Sequence, residues 1–150
     1  MPSDRPPSDP LAVSLFAEIA TIDQLMRARL ARALPKGMEL SHFTVLNYLA
    51  SSRGERSPAQ LARAFHVTKA AMTNTLGKLE RAGHIHVRPD WDDARRKMVV
   101  ISPSGQRARD QALAAVTPVF AEAIEELGPE TVRAALPTLR RLRSILTEDG

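Results

Sequence analysis

Val67-Thr68-Lys69-Ala70-Ala71-Met72-Thr73-Asn74-Thr75-Leu76-Gly77-Lys78-Leu79-Glu80-Arg81-Ala82-Gly83 is the stretch from which the fold is read. Met72, Leu76 and Leu79 recur at helical spacing and form one apolar stripe, with Thr68 placed to cap the helix. Lys69, Ala70, Thr73, Asn74 and Lys78 fall on the opposite face. That face is small-featured, hydrogen-bonding and positively charged.

Immediately upstream, Ser57-Pro58-Ala59-Gln60 supplies a capping Ser, a Pro at the first helical position and a Gln at the third. Together they satisfy the amides that a helix start leaves without partners. Leu61, Ala64 and Phe65 are expected on the inner side of this helix. Only His66-Val67 separates it from Thr68, so the two helices meet in a helix-turn-helix corner. The corner calls for a residue that accepts positive φ, and His66 is assigned that place because His tolerates it better than most residues.

Downstream, His84-Ile85-His86-Val87-Arg88 and Lys97-Met98-Val99-Val100-Ile101 have strand composition. The charged segment from Pro89 to Arg96 joins them into a hairpin. Ser102-Pro103 repeats the cap-then-Pro start. A long helix marked by Leu113, Val116, Phe120, Ile124 and Leu127 follows as far as Gly128, with a kink expected at Pro118. Pro129 opens a last helix through Leu136, Leu139, Leu142 and Leu146.

Toward the N-terminus, Pro2, Pro6, Pro7 and Pro10 make residues 1–10 a mobile arm. A helix from Leu11 to Leu34 carries Leu15, Ile19, Ile22, Met26, Leu30 and Ala33 on one face. Ser41 is expected to cap a second helix with Phe43, Leu46 and Leu49 inside, closed by Ser51-Ser52-Arg53-Gly54. The fold class is mainly α with a small two-stranded β-wing. A helix-turn-helix core spans residues 41–101, flanked by helical segments 11–34 and 103–147 within a single domain, 11–150. These flanking helices hold more apolar surface than so small a centre covers, which predicts a homodimer.

Composition narrows the function. The 150 residues are 43% hydrophobic and carry a net charge of +4, with a pI near 10.1. Between Ser57 and Ile101 the basic residues Arg63, Lys69, Lys78, Arg81, Arg88, Arg95, Arg96 and Lys97 outnumber Glu80, Asp90, Asp92 and Asp93. Charge concentrated beside a polar helix face fits a phosphate-bearing partner, double-stranded DNA. The chain has no Cys, so disulfides and thiolate metal sites are excluded. No apolar run approaches the roughly 18 residues of a membrane span, and no signal peptide opens the chain. A cytoplasmic protein is expected, with no membrane partner. No nucleophile elbow, phosphate loop, HExxH or paired-carboxylate motif is found, so no enzyme, cofactor, metal or catalytic residue is assigned.

In this order of elements the chain resembles the MarR family of winged helix-turn-helix transcription regulators, over about Leu11 to Leu146. The resemblance is carried by Lys78-Leu79-Glu80-Arg81-Ala82-Gly83-His84-Ile85, by Arg88-Pro89-Asp90-Trp91-Asp92-Asp93-Ala94-Arg95, and by Ile101-Ser102-Pro103-Ser104-Gly105. The family often has Asp-Arg-Arg where this chain has Asp93-Ala94-Arg95, and often a basic residue at Val87. The resemblance implies terminal dimerisation helices, a pseudo-palindromic operator, and repression relieved by a small aromatic or phenolic ligand. It also implies that Asp93 orients Arg95, and that Arg95 enters the minor groove.

The site expected from these readings has Thr68, Lys69, Ala70, Thr73, Asn74 and Lys78 in the major groove. Asn74 is suited to adenine, and Thr73 to a hydrogen bond or a thymine methyl. Asp93 and Arg95 serve the minor groove, and Arg63, Arg88, Arg96 and Lys97 the phosphates. Phe16, His42, Leu46 and Phe120 are the pocket candidates, each as readily a core residue. The bland alternative for the hairpin charges is a solvated loop with surface ion pairs worth about 0–1 kcal/mol, and this alternative is preferred for Arg96. His84 and His86 alternate as a chelating pair would, although ordinary packing fits them better without Cys or a carboxylate beside them. A non-specific architectural DNA-binding protein and a winged helix turned to protein contact are the rival functions.

Overall fold

The computed structural model describes residues 9–52 and 54–148. The expected arm therefore lies almost wholly outside the described residues. The elements run α1 (Pro10–Ala33), α2 (Leu40–Ser51), α3 (Pro58–Ala64), α4 (Lys69–Arg81), β1 (Ile85–Pro89), β2 (Lys97–Ile101), α5 (Pro103–Leu127) and α6 (Pro129–Glu148). By their contacts they form two compact units, Met1–Ala115 and Val116–Gly150, with the boundary inside α5.

Helix starts follow local chemistry, with two corrections to the sequence reading. Pro10 is the first residue of α1 rather than the end of an arm, because the Asp9 carboxylate accepts the Leu11 amide at 3.0 Å. Helix α2 begins at Leu40, one residue before the expected cap Ser41. There the Glu39 amide donates to His42 Nδ1 at 3.2 Å, so a histidine at the third helical position satisfies it. The α3 start matches expectation: Ser57 N donates to Gln60 Oε1 at 2.9 Å and Gln60 N to Ser57 Oγ at 3.2 Å. Thr68 Oγ1 accepts from Ala71 N at 3.1 Å and starts α4.

The core of the first unit joins Val45, Leu46 and Leu49 of α2, Leu61 and Ala62 of α3, Met72, Leu76 and Leu79 of α4, Ile85 of β1 and Val99 of β2. Ala64 is exposed and Ala62 buried, the reverse of the expected inner side of α3. Ala62, next to Leu61 and about 200° around the helix from Ala64, takes the inward place, while Leu61 and Phe65 keep theirs. His66 adopts φ 52°, the positive φ that the corner requires.

The hairpin is antiparallel, pairing Ile85 with Ile101 and Pro89 with Lys97. Its first strand starts one residue later than expected. His84 is left outside it because its carbonyl accepts the Ser102 amide at 3.0 Å and its Nδ1 lies 3.1 Å from Ser104 Oγ. His84 is thus packed against the start of α5, and His86 is exposed. A third backbone segment joins the wing: Arg56 and Val99 exchange amide hydrogen bonds of 3.2 and 2.7 Å.

Ser102 fastens the wing to α5. Its buried hydroxyl donates to the Gly83 carbonyl at 2.6 Å and accepts the Gly105 amide at 3.0 Å. Gly105 permits this approach, since a Cβ there would stand 2.0 Å from the His84 carbonyl oxygen. Arg109 Nε then donates to Asn47 Oδ1 at 3.1 Å, tying the same helix to α2. The first turns of α5 are thus bonded to the winged helix.

Helix α1 buries none of its residues, and Phe16 is 73% exposed. Helix α5 runs from Pro103 to Leu127 through Pro118, and α6 contains Pro137. Leu139 and Leu146 of α6 are exposed. No described helix is long and apolar enough to cross a membrane.

Candidate nucleic-acid interface

The outward face of α4 is open to solvent at Thr68, Lys69, Ala70, Thr73 and Asn74. Met72, Leu76 and Leu79 hold the helix from behind, so those five side chains stand on a rigid support. Beside this face lies a concavity of about 510 Å³ lined by Ser57, Pro58, Ala59 and Arg63, by Lys69 and Thr73, and by Arg95, Arg96 and Lys97. Residues far apart in sequence thereby meet around one positively charged groove. The Ser57–Pro58 cap that starts α3 is part of its lining.

The wing tip is shaped by its own acids. Asp93 Oδ1 accepts the Arg95 amide at 3.1 Å and lies 3.4 Å from Arg95 Nε, while the Arg95 side chain stays 93% exposed. An acidic residue here aims the arginine without covering it. Asp90 sits 4.0 Å from Arg96 Nε, and its amide donates to the Arg96 carbonyl at 2.9 Å. Arg96 is thus held from one side and half open on the other.

Two expected contact residues are engaged elsewhere. Arg88 donates through Nε to Glu55 Oε1 at 2.9 Å, pairs through its second terminal nitrogen with Glu55 Oε2, and donates through Nη1 to the Pro89 carbonyl at 2.7 Å. Its guanidinium also lies 4.7 Å from the Trp91 ring centre. Each of its three nitrogens thus donates one bond at the root of the wing, and the side chain is 29% exposed. Lys78 faces away from the groove, with Nζ 3.5 Å from Glu39 Oε1. It lies on the side of α4 that meets the start of α2.

That side holds a second cavity, about 520 Å³, lined by Lys36, Glu39, His42, Lys78, His84 and Gln111 among others. His42 Nδ1 accepts the Glu39 amide, so in the neutral ring the proton resides on Nε2, a buried donor without a hydrogen-bond partner among the described residues. Burial holds the His42 pKa below the usual histidine value; Glu39 opposes this, and Lys78 and His84 add to it. Of the residues expected at a pocket, Leu46 is in the core with no exposure, Phe16 is exposed on α1, and Phe120 belongs to the second unit. Of the four, His42 alone lines this cavity.

Glu55 and Arg56 were not legible as wing residues. Their partners, Arg88 and Val99, are distant in sequence, and a single backbone bridge leaves no periodicity. Ser57 carried a signal in its capping box, but that signal concerned helix geometry alone.

Comparison with known proteins agrees with this architecture. A sequence model of the MarR family matches residues 36–96. The chain is 34% identical over 132 residues to the HTH-type transcriptional repressor Mb2911 of Mycobacterium bovis, covering 86% of this chain and 88% of that protein. Its fold is similar to that of an E. coli MarR mutant complexed with operator DNA, with TM-score 0.77, 22% identity and coverage of 90% and 99%. It is also similar to Bordetella bronchiseptica BpsR, described for regulation of its DNA binding by 6-hydroxynicotinic acid, with TM-score 0.76, 18% identity and coverage of 87% and 98%. The chain belongs to the MarR family of winged helix-turn-helix transcription regulators, DNA-binding proteins and not enzymes.

Proposed function

We propose that the chain acts in the cytoplasm as a homodimeric repressor on a pseudo-palindromic operator, with α4 of each copy in a major groove and Arg95 of each wing in the adjoining minor groove. The observation that carries this reading is the groove itself, where α3, α4 and the wing present Arg63, Lys69, Thr73, Arg95, Arg96 and Lys97 together. Thr68, Ala70 and Asn74 complete the base-reading face, and Asp93 aims Arg95. Lys78 reaches DNA only by leaving Glu39. The exposed apolar residues of α1 and α6 support the dimer, because such stripes are costly in water. A two-fold partner would set the half-sites about one helical turn, roughly 34 Å, apart.

Release is assigned to a small aromatic or phenolic acid in the cavity lined by His42, where Lys36 and Lys78 supply positive charge for a carboxylate or phenolate. Hydroxybenzoate is the probe: dissociation of the protein–DNA complex supports this part, and an unaffected complex at saturating probe removes it.

Selection of duplexes from a random pool by the purified protein tests the main reading. An enriched inverted repeat supports it. Tight, salt-sensitive binding without a motif would instead establish an architectural DNA-binding protein, and absence of binding would leave the fold serving protein contact.

A further inference from the structure

The brace at the root of the wing joins residues from three places in the chain. Glu55 stands next to Arg56, whose backbone is hydrogen-bonded on both sides of Val99 in β2. Its carboxylate therefore projects from a segment fixed to the sheet. Arg88 of β1 meets that carboxylate in a bidentate pair, with both side chains 29% exposed. A two-pronged guanidinium–carboxylate pair fixes orientation as well as distance. The remaining terminal nitrogen is bonded to Pro89 O, where the strand gives way to the tip. Trp91, 85% exposed, rests one ring face on the same guanidinium. Arg95 and Asp93 follow in the same turn, which closes through the Asp90 amide and the Arg96 carbonyl.

We propose that Glu55 and Arg88 are positioning residues for DNA binding: the Glu55–Arg88–Trp91 stack sets the attitude of the wing tip, and through it the entry of Arg95 into the minor groove. This inference rests on the DNA-binding reading of the groove. It assigns a favourable role to an acidic side chain near a polyanion, where simple charge counting assigns an unfavourable one. Removing a carboxylate and freeing an arginine should tighten binding if only net charge matters. If the pair positions the wing, the same change weakens binding.

The opposed signs make Glu55→Gln the decisive substitution, since it preserves shape and deletes the charge. On the operator recovered by selection, Glu55→Gln is expected to weaken binding about tenfold, the scale of one charge-assisted hydrogen bond. Arg88→Lys, which keeps the charge but loses the fork and the flat face over Trp91, is expected to weaken it similarly. Arg95→Ala is expected to weaken the wild type by about tenfold but to cost less than about twofold in the Glu55→Gln background, because a misdirected Arg95 has little left to lose. Trp91 is the single tryptophan of the chain, so its fluorescence reports the tip alone. Quenching by acrylamide is expected to rise in Glu55→Gln, a change that general loss of stability at native temperature would not produce. Tighter or unchanged operator binding by Glu55→Gln overturns the proposal, as do fully additive effects with Arg95→Ala or an unaltered quenching profile. If the wild type selects no operator, the DNA-binding reading fails first, and the two failures are told apart.

Discussion

Gly105→Ala tests whether the wing is fastened to α5 in the way described. A Cβ at residue 105 would lie 2.0 Å from the His84 carbonyl oxygen and 2.9 Å from both His84 C and Ile101 Cγ1. Carbon–oxygen contacts settle near 3.3 Å, so the backbone must open by about 1.3 Å. That movement acts on the Ser102 N–His84 O bond of 3.0 Å and on the Gly105 N–Ser102 Oγ bond of 3.0 Å. Overpacking costs roughly 1–3 kcal/mol, and each hydrogen bond broken about 1 kcal/mol more. Against this, Ala gains about 1 kcal/mol over Gly inside a helix. The net loss is about 2–4 kcal/mol, seen as a fall in Tm of roughly 5–15 °C for a chain of this size. Gly77→Ala in α4 is the control, because its Cβ would meet only Arg81 Nη1 at 3.5 Å. That variant should gain up to about 1 kcal/mol. Thermal unfolding followed by far-UV circular dichroism measures both, and a Gly105→Ala protein as stable as the wild type would mean that the close approach to His84 does not hold the wing.

Other perturbations separate the remaining claims. His66→Gly relieves a positive φ at the helix-turn-helix corner and should raise Tm by about 1–2 °C, the strain relief being partly offset by the greater freedom of Gly in the unfolded chain; a lower Tm would show that the His66 side chain stabilises the corner. His42 is held neutral by burial, so the unfolded state binds its proton first as pH falls. Its contribution is present above the ordinary value of 6.5 and is lost as pH drops from there toward the lowered folded value. His42→Gln keeps a cap acceptor for Glu39 and should flatten the stability profile below that pH; an unchanged profile would assign the effect to another group. Arg95→Ala should reduce the slope of log affinity against log salt by about 0.9 for each phosphate it no longer neutralises, while relative affinities among operator sequences stay the same, and an unaltered slope together with unaltered affinity would remove Arg95 from the interface.

The legible parts of this protein were those whose causes are local. The Ser57–Gln60 capping box, the Met72–Leu76–Leu79 stripe, the positive φ of His66 and the Asp93–Arg95 pair each draw on residues a few positions apart, and the structure has all of them. Helix starts shifted where a less common cap took over, as with His42 and Glu39 at α2. What stayed hidden was long-range: Arg88 reads as a free cation until Glu55 is brought against it across the fold. Lys78 stands about two and a half turns after Lys69, which puts it on the side of α4 beside Glu39. The second cavity is lined by His42 together with Lys36, Glu39, Lys78 and His84 rather than by the aromatic residues chosen by position. The aliphatic residues that the sequence places on α1 and α6, among them Leu15, Ile19, Leu139 and Leu146, are exposed.

Everything proposed for the function depends on the exposed face of α4 reading base sequence. The affinities of wild type and Asn74→Ala for a panel of single-base-pair variants of the selected operator measure this without intermediaries. Asn74→Ala is expected to lose about 1–3 kcal/mol of discrimination at one symmetry-related base pair in each half-site while keeping its preferences elsewhere. Identical preferences at every base pair would show that Asn74 reads no base.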